Sequence, residues 1–176
     1  MCSDLEKAEL IYQSRVFRLC RERVTLPNGV TTTLDLIHHP GSSAIVPLLP
    51  DRQVVMLNQY RHSAQRFLWE IPAGTLNPGE DPLEGAKREL MEEAGYRASH
   101  FEKLTEILPA PGYTDERIHI FSAAELEPVT QNLDKDEVLE VAHLALKETL
   151  SMIRSGAIQD ALTIVGLLLV SGRFDR

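Results

Sequence analysis

The 176-residue sequence predicts a mixed β-sheet with flanking helices, α/β or α+β, on three observations. β-prone runs fill the first two thirds of the chain. Helical periodicity is confined to residues 82–94 and to the C-terminal segment. Few, late helices beside many strands fit a layered sheet better than an all-β barrel. Hydrophobic residues at 43% and charged residues at 25% are ordinary for one globular unit, which excludes disorder and fibrous repeats.

Taken in order, Ile11-Tyr12, Val16-Phe17 and Arg23–Leu26 read as extended, with Pro27-Asn28-Gly29 turning the chain into Thr31–Leu34. Asn-Gly between β-prone runs is a hairpin signal. His38-His39-Pro40-Gly41 is a second turn, and a boundary near residue 40 divides an N-terminal β extension (1–40) from the main domain (41–176). Strands Ser43–Leu49 and Gln53–Gln59 follow, separated by Pro50-Asp51-Arg52. The period then changes. Asp81 suits an N-cap, Pro82 the first helical position, Glu84 the third position of a capping box, and Gly95 the stop. Leu83, Ala86, Leu90 and Ala94 share one arc, so that face is expected to be buried. Strands are expected around Lys103–Leu108, Arg117–Ala123 and Val138–Leu144, with an acidic loop Asp134–Glu137 before the last. Helices Lys147–Ile153 and Asp160–Leu169 complete the chain.

Charge narrows the function. With 18 basic against 26 acidic residues the formal charge is −8, so no global positive field holds a nucleic-acid backbone or an anionic membrane. The start, Met1–Glu6, has no basic or apolar leader character, and the apolar run Leu162–Val170 is about half of the ~20 residues a membrane span needs. The cytoplasm is therefore the expected location. Cys2 and Cys20 lack metal-ligand spacing and are expected to be structurally incidental, as are the six histidines.

The chemistry concentrates on Glu89, Glu92 and Glu93. These three carboxylates crowd the last turns of the predicted helix, where the helix dipole disfavours negative charge by about 0.3–1 kcal/mol per group. Like charges at this spacing add a few tenths more. A hard divalent cation over the cluster would make sense of them, since carboxylate oxygens are what Mg²⁺ takes.

The surrounding spacing is more specific. Gly74, five residues, Glu80, seven residues, Arg88-Glu89-Leu90, one residue, Glu92-Glu93, one residue, Gly95-Tyr96 matches the Nudix box at every specified position. The sequence thus resembles the Nudix hydrolases. That resemblance implies an α/β Nudix fold, a mixed β-sheet sandwiched between helices, here with an N-terminal β-hairpin extension. It also implies cleavage of a nucleoside diphosphate derivative with Mg²⁺, for which Mn²⁺ can substitute. Oppositely charged Glu80 and Arg88 are expected to pair and hold the loop to the helix. Gln59-Tyr60-Arg61, Trp69–Gly74 and Pro111, fifteen residues past the box, resemble the ADP-ribose and nucleoside diphosphate sugar pyrophosphatases.

In that group the resemblance makes the Ala73 carbonyl, Glu89 and Glu93 metal ligands, with Glu92 a third ligand or acting through water. Glu137 matches the base carried on an acidic loop, with Asp136 and Glu116 as alternates. Arg61 is expected to bind phosphate, because its planar fork suits phosphate oxygens, and Glu70 to contact substrate or metal. By the same analogy the N-terminal extension packs across a homodimer, and Tyr12 or Phe17 stacks on the base. The expected substrate is a small nucleotide sugar, ADP-ribose or a relative. GDP-mannose and dinucleotides are alternatives, as is a non-catalytic nucleotide-sensing module, although such modules commonly carry a degraded box.

Overall fold

The computed structural model describes residues 8–174; Cys2 and the segment read for a leader lie outside them. Three antiparallel strands, β1 (Ala8–Gln13), β2 (Arg18–Thr25) and β3 (Thr31–His38), form an N-terminal sheet in the order β1-β2-β3. The β2–β3 turn closes at Asn28-Gly29, where Gly29 has φ 84° and the Leu26 amide donates to the Val30 carbonyl at 2.8 Å.

The main sheet has seven strands. Its path is β10 (Leu139–Ala145), β5 (Gln53–Arg61), β4 (Ser42–Leu49), β9 (Ile118–Pro128) and β8 (Tyr96–Ile107), with β6 (Arg66–Glu70) beside β5 and β7 (Ala73–Thr75) beside β4. β4 and β9 are parallel and the other pairs antiparallel, so the sheet is mixed as expected. β4 is buried from Ser42 to Pro47, and from Ala44 to Leu49 it reads as a continuous apolar run, which suits a central strand covered on both faces.

One face is covered by α1 (Pro82–Glu92). Ile45, Val55, Leu57, Phe121 and Ala123 of the sheet pack with Ala86, Leu90 and Ala94, and Leu83 lies against them, so the predicted arc is the buried one. At about 1.5–3 kcal/mol for a fully buried large apolar side chain, Leu90 alone anchors the helix firmly. The other face carries α2 (Leu146–Ser155) and α3 (Ala161–Phe174), whose Leu146, Leu167 and Val170 meet Ala44, Val46, Val54, Met56 and Ile120. The sheet is thus sandwiched between helices.

Some local expectations are refined. Asp81 caps α1, accepting from the Leu83 amide at 2.9 Å, but Glu84 accepts from Lys87 Nζ at 2.7 Å as part of an exposed ion pair. β8 begins at Tyr96, seven residues before the predicted Lys103, because its polar first half is held by pairing with β9. β6 and β7 carry no alternating pattern and were not foreseen; both are short and specified by their neighbours. Cys20 is buried. No helix among the described residues is long and apolar enough to cross a membrane.

The N-terminal sheet is tied to the main body at one corner. The Ile37 amide donates to the Tyr113 carbonyl at 2.8 Å, and Asp115 returns its amide to the Ile37 carbonyl at 3.2 Å. Beside them His38 Nδ1 lies 2.7 Å from Asp115 Oδ2 and its Nε2 2.7 Å from Glu22 Oε1, so one imidazole links the N-terminal sheet to the loop that leads into β9.

Candidate active site

Everything in the site hangs on where α1 ends. Its last turn carries Arg88, Glu89 and Glu92, with Glu93 as C-cap, and points them at β7. Arg88 is the hub: Nε donates to Glu80 Oε1 at 2.9 Å, Nη1 to Glu89 Oε1 at 2.6 Å and to Glu92 Oε2 at 3.0 Å, and Nη2 to the Thr75 carbonyl at 3.2 Å. The predicted Glu80–Arg88 pair forms, and the guanidinium also offsets the carboxylates that the helix dipole opposes. Its neighbour holds the Glu80 carboxyl below the usual carboxylate range.

Glu93 is 2% exposed and Glu89 6%. Glu93 Oε2 accepts from the Ala73 amide at 2.8 Å. Burial, reinforced by the charge of Glu89 and opposed by that amide, pushes the Glu93 carboxyl up to about 8. Burial also raises Glu89, although Arg88 works against it. A Cβ on Gly74 would fall inside the carboxylate of Glu89, so the glycine is what lets Glu89 occupy this wall. The chain therefore brings β7 and α1 together closely enough that Ala73, Glu89 and Glu93 line one wall.

That wall belongs to a cleft of about 620 Å³, also lined by Arg15, Gln59, Arg61, Arg88, Glu92, Asp134, Asp136 and Glu137. Metal fits this donor set. Two buried carboxylates that repel each other, beside a third, offer the hard oxygens that Mg²⁺ or Mn²⁺ takes. Among the described residues no three His, Cys, Asp or Glu side chains converge as a metal cluster; Glu89 and Glu92 are both paired with Arg88.

Glu137 lies across the cleft on the acidic loop. Its carboxylate accepts from the Asp134 amide at 2.8 Å, which holds it against its own turn. Asp136 pairs with Arg15 at 3.3 Å, a contact with the N-terminal sheet that the sequence did not suggest. Arg61 reaches the cleft but is held by Glu70, with Nη2 2.6 Å from Oε2 and Nε 3.0 Å from Oε1. Glu70 is 5% exposed and sits behind Arg61, outside the cleft lining.

Three further candidates also lie outside the lining of this cleft. Glu116 accepts from Ser42 Oγ at 2.9 Å and lies 3.5 Å from His39 Nδ1. Tyr12 is exposed on the N-terminal sheet with Phe17, ring centroids 6.3 Å apart. Phe17 lines a second cleft of about 340 Å³ with His38, His39 and Arg18; Val16, Pro40 and Pro78 line both clefts. Residues that sequence reasoning missed include Gln131, whose amide donates to the Glu93 carbonyl, and Thr163, treated below. Neither stands out in a single sequence.

A sheet between helices, with a helix-borne glutamate cluster closed over a glycine, is the arrangement that the resemblance to the Nudix hydrolases implies. The family model described as the NUDIX domain matches residues 38–161, and the chain belongs to that family. It is 38% identical over 157 residues to the ADP-ribose pyrophosphatase of Bacillus subtilis (strain 168), covering 88% of this chain and 85% of that protein. It is 37% identical over 163 residues to the methanol dehydrogenase activator of Bacillus methanolicus, covering 92% and 88%. A crystal structure of an ADP compounds hydrolase superposes with a TM-score of 0.82 at 24% identity, covering 96% of this chain and 92% of that one, a likeness of fold.

Proposed function

We propose that this protein hydrolyses the diphosphate linkage of ADP-ribose or a closely related nucleoside diphosphate sugar, releasing a nucleoside monophosphate and a sugar phosphate. The observation that carries this reading is the buried Glu89–Glu93 pair closed over Gly74 at the wall of an open cleft. Glu89, Glu93 and the Ala73 carbonyl would hold Mg²⁺ or Mn²⁺, with Glu92 beside them. When bound, the cation supplies charge neutralisation for the diphosphate and a more acidic water.

The chain's own residues do the rest. Glu137 leaves its turn and accepts the proton of the attacking water, with Asp136 the neighbouring alternate and Glu116, outside the cleft lining, the weaker one. Arg61, kept in a fixed orientation by Glu70, presents its free edge to a phosphate. The second cleft, with Phe17 on its wall and Tyr12 nearby, suits the nucleobase end. The N-terminal sheet, exposing Leu10, Ile11 and Tyr12, suits contact with a second copy of this chain, and the protein is read as a cytoplasmic homodimer.

The test is a panel of ADP-ribose, ADP-glucose, GDP-mannose and diadenosine compounds with Mg²⁺ or Mn²⁺, and with chelator. Turnover of ADP-ribose that chelator abolishes, lost by orders of magnitude in Glu89→Gln and Glu93→Gln, supports the reading. Glu137→Gln should slow turnover while keeping metal binding. No turnover of any member by the metal-loaded chain would overturn it in favour of a nucleotide-sensing module.

A further inference from the structure

The segment Ile71-Pro72-Ala73 links β6 to β7 and leads into the metal wall. Pro72 has no N–H, so the segment owns two amide donors. One is the Ala73 amide on Glu93 Oε2. The other, the Ile71 amide, donates to Thr163 Oγ1 of α3 at 2.9 Å, in surroundings where Ile71 is 1% and Thr163 0% exposed. Between them the Pro72 carbonyl accepts from the Ile45 amide of β4 at 2.9 Å. The three residues are thus pinned in succession by α3, β4 and α1.

α3 is itself fixed at that point. The Thr163 amide donates to Asp160 Oδ2 at 2.9 Å, an N-cap that leaves the Thr163 hydroxyl to serve Ile71. One turn on, Gly166 lets the helix lie against the same segment: a Cβ there would stand 2.9 Å from Val46 Cγ2 and 3.1 Å from Ile71 Cδ1.

We propose that Thr163 is a positioning residue, acting from the far face of the sheet through the Ile71 amide to set Ala73 against Glu93. The inference rests on the reading of Ala73 and Glu93 as metal-holding groups. A hydroxyl that merely satisfied a buried donor would affect stability alone. One that positions the segment also governs how well Glu93 is presented.

The experiment compares Thr163→Val, which removes the acceptor at nearly constant shape, with Thr163→Ser, which keeps it. On the full chain, Mn²⁺ binding is measured by calorimetry, kcat and KM with ADP-ribose, and exchange of the Ile71 and Ala73 amides without metal. T163V is expected to bind Mn²⁺ about tenfold more weakly, the low end for losing a partner that orients a metal ligand. Its kcat should fall comparably at little-changed KM, and both amides should exchange faster, with T163S close to the parent. If T163V does not fold, Thr163→Ala against T163S makes the same comparison. Equal Mn²⁺ affinity and equal Ala73 exchange in the acceptor-lacking and serine variants would overturn the proposal. If the parent chain binds no Mn²⁺, the metal reading fails, and Ala73 exchange still decides the role of Thr163.

Discussion

Arg61 straddles the carboxylate of Glu70, a residue 5% exposed, through its Nε and Nη2. Burial raises the Glu70 carboxyl even against this guanidinium, so the pair is needed to keep it charged. Arg61→Ala strands a buried carboxylate. We expect a loss of about 2–3 kcal/mol in urea unfolding at neutral pH, below the 3–5 kcal/mol typical of fully buried pairs because the Arg61 side chain is 42% exposed. The double change Arg61→Ala with Glu70→Gln should recover part of that loss, a coupling that a double-mutant cycle measures.

Gly74→Ala separates stability from chemistry. The atoms in the way are the end of the Glu89 side chain, which can swing aside where backbone could not. Unfolding should therefore shift by no more than about 1–2 kcal/mol, while metal affinity and turnover collapse because Glu89 no longer occupies the wall.

Glu93 makes metal-free stability depend on pH. Its folded-state carboxyl, up to about 8 against an ordinary 4.5, holds its proton better than in the unfolded chain. That contribution is complete below about pH 4.5 and is lost as pH rises through about 8. Thermal scans in chelator should show a lower Tm at pH 8 than at pH 6, and Mg²⁺ should raise Tm more at the higher pH. Glu93→Gln should flatten both trends.

His38 gives the N-terminal sheet a pH dependence of its own. Burial pulls its imidazole down, but the hydrogen bonds to Asp115 and Glu22 outweigh it, leaving the group above its usual 6.5. The linkage is complete below about pH 6.5 and lost as pH rises past the folded value. Protection factors of the Ile37 and Asp115 amides, corrected for the intrinsic rise of exchange with pH, should fall between pH 6 and pH 8, and His38→Asn should remove that fall.

The legible parts of this molecule are those with short-range causes. Asn28-Gly29 dictates a hairpin, and Asp81, Pro82 and Gly95 bound a helix whose apolar arc must be buried. The i, i+4 spacing of Glu89 and Glu93 puts them on one surface of that helix, and both line the cleft. What sequence could not reveal depends on how elements are placed against one another. Arg61 and Glu70, nine residues apart in one hairpin, are not opposite each other in its register, where Glu70 faces Leu57 and Arg61 faces Arg66; they meet because the Arg61 side chain runs along the strand. Likewise Thr163, a lone polar residue in an apolar helix, has meaning only once Ile71 is placed against it.

The parallel pairing of Ser42–Pro47 with Ile118–Ala123 bears on how the protein comes into being. Parallel neighbours joined by so long a crossover must close a large loop before their contacts repay its entropy, which slows folding. On the ribosome, α1 is synthesised well before Phe121 and Ala123, against which Leu90 and Ala94 pack. Ile45, Val55 and Leu57 precede the glutamate-bearing helix and can already take part of its apolar stripe, so a nascent chain halted short of residue 118 exposes only the part that Phe121 and Ala123 cover in the finished protein.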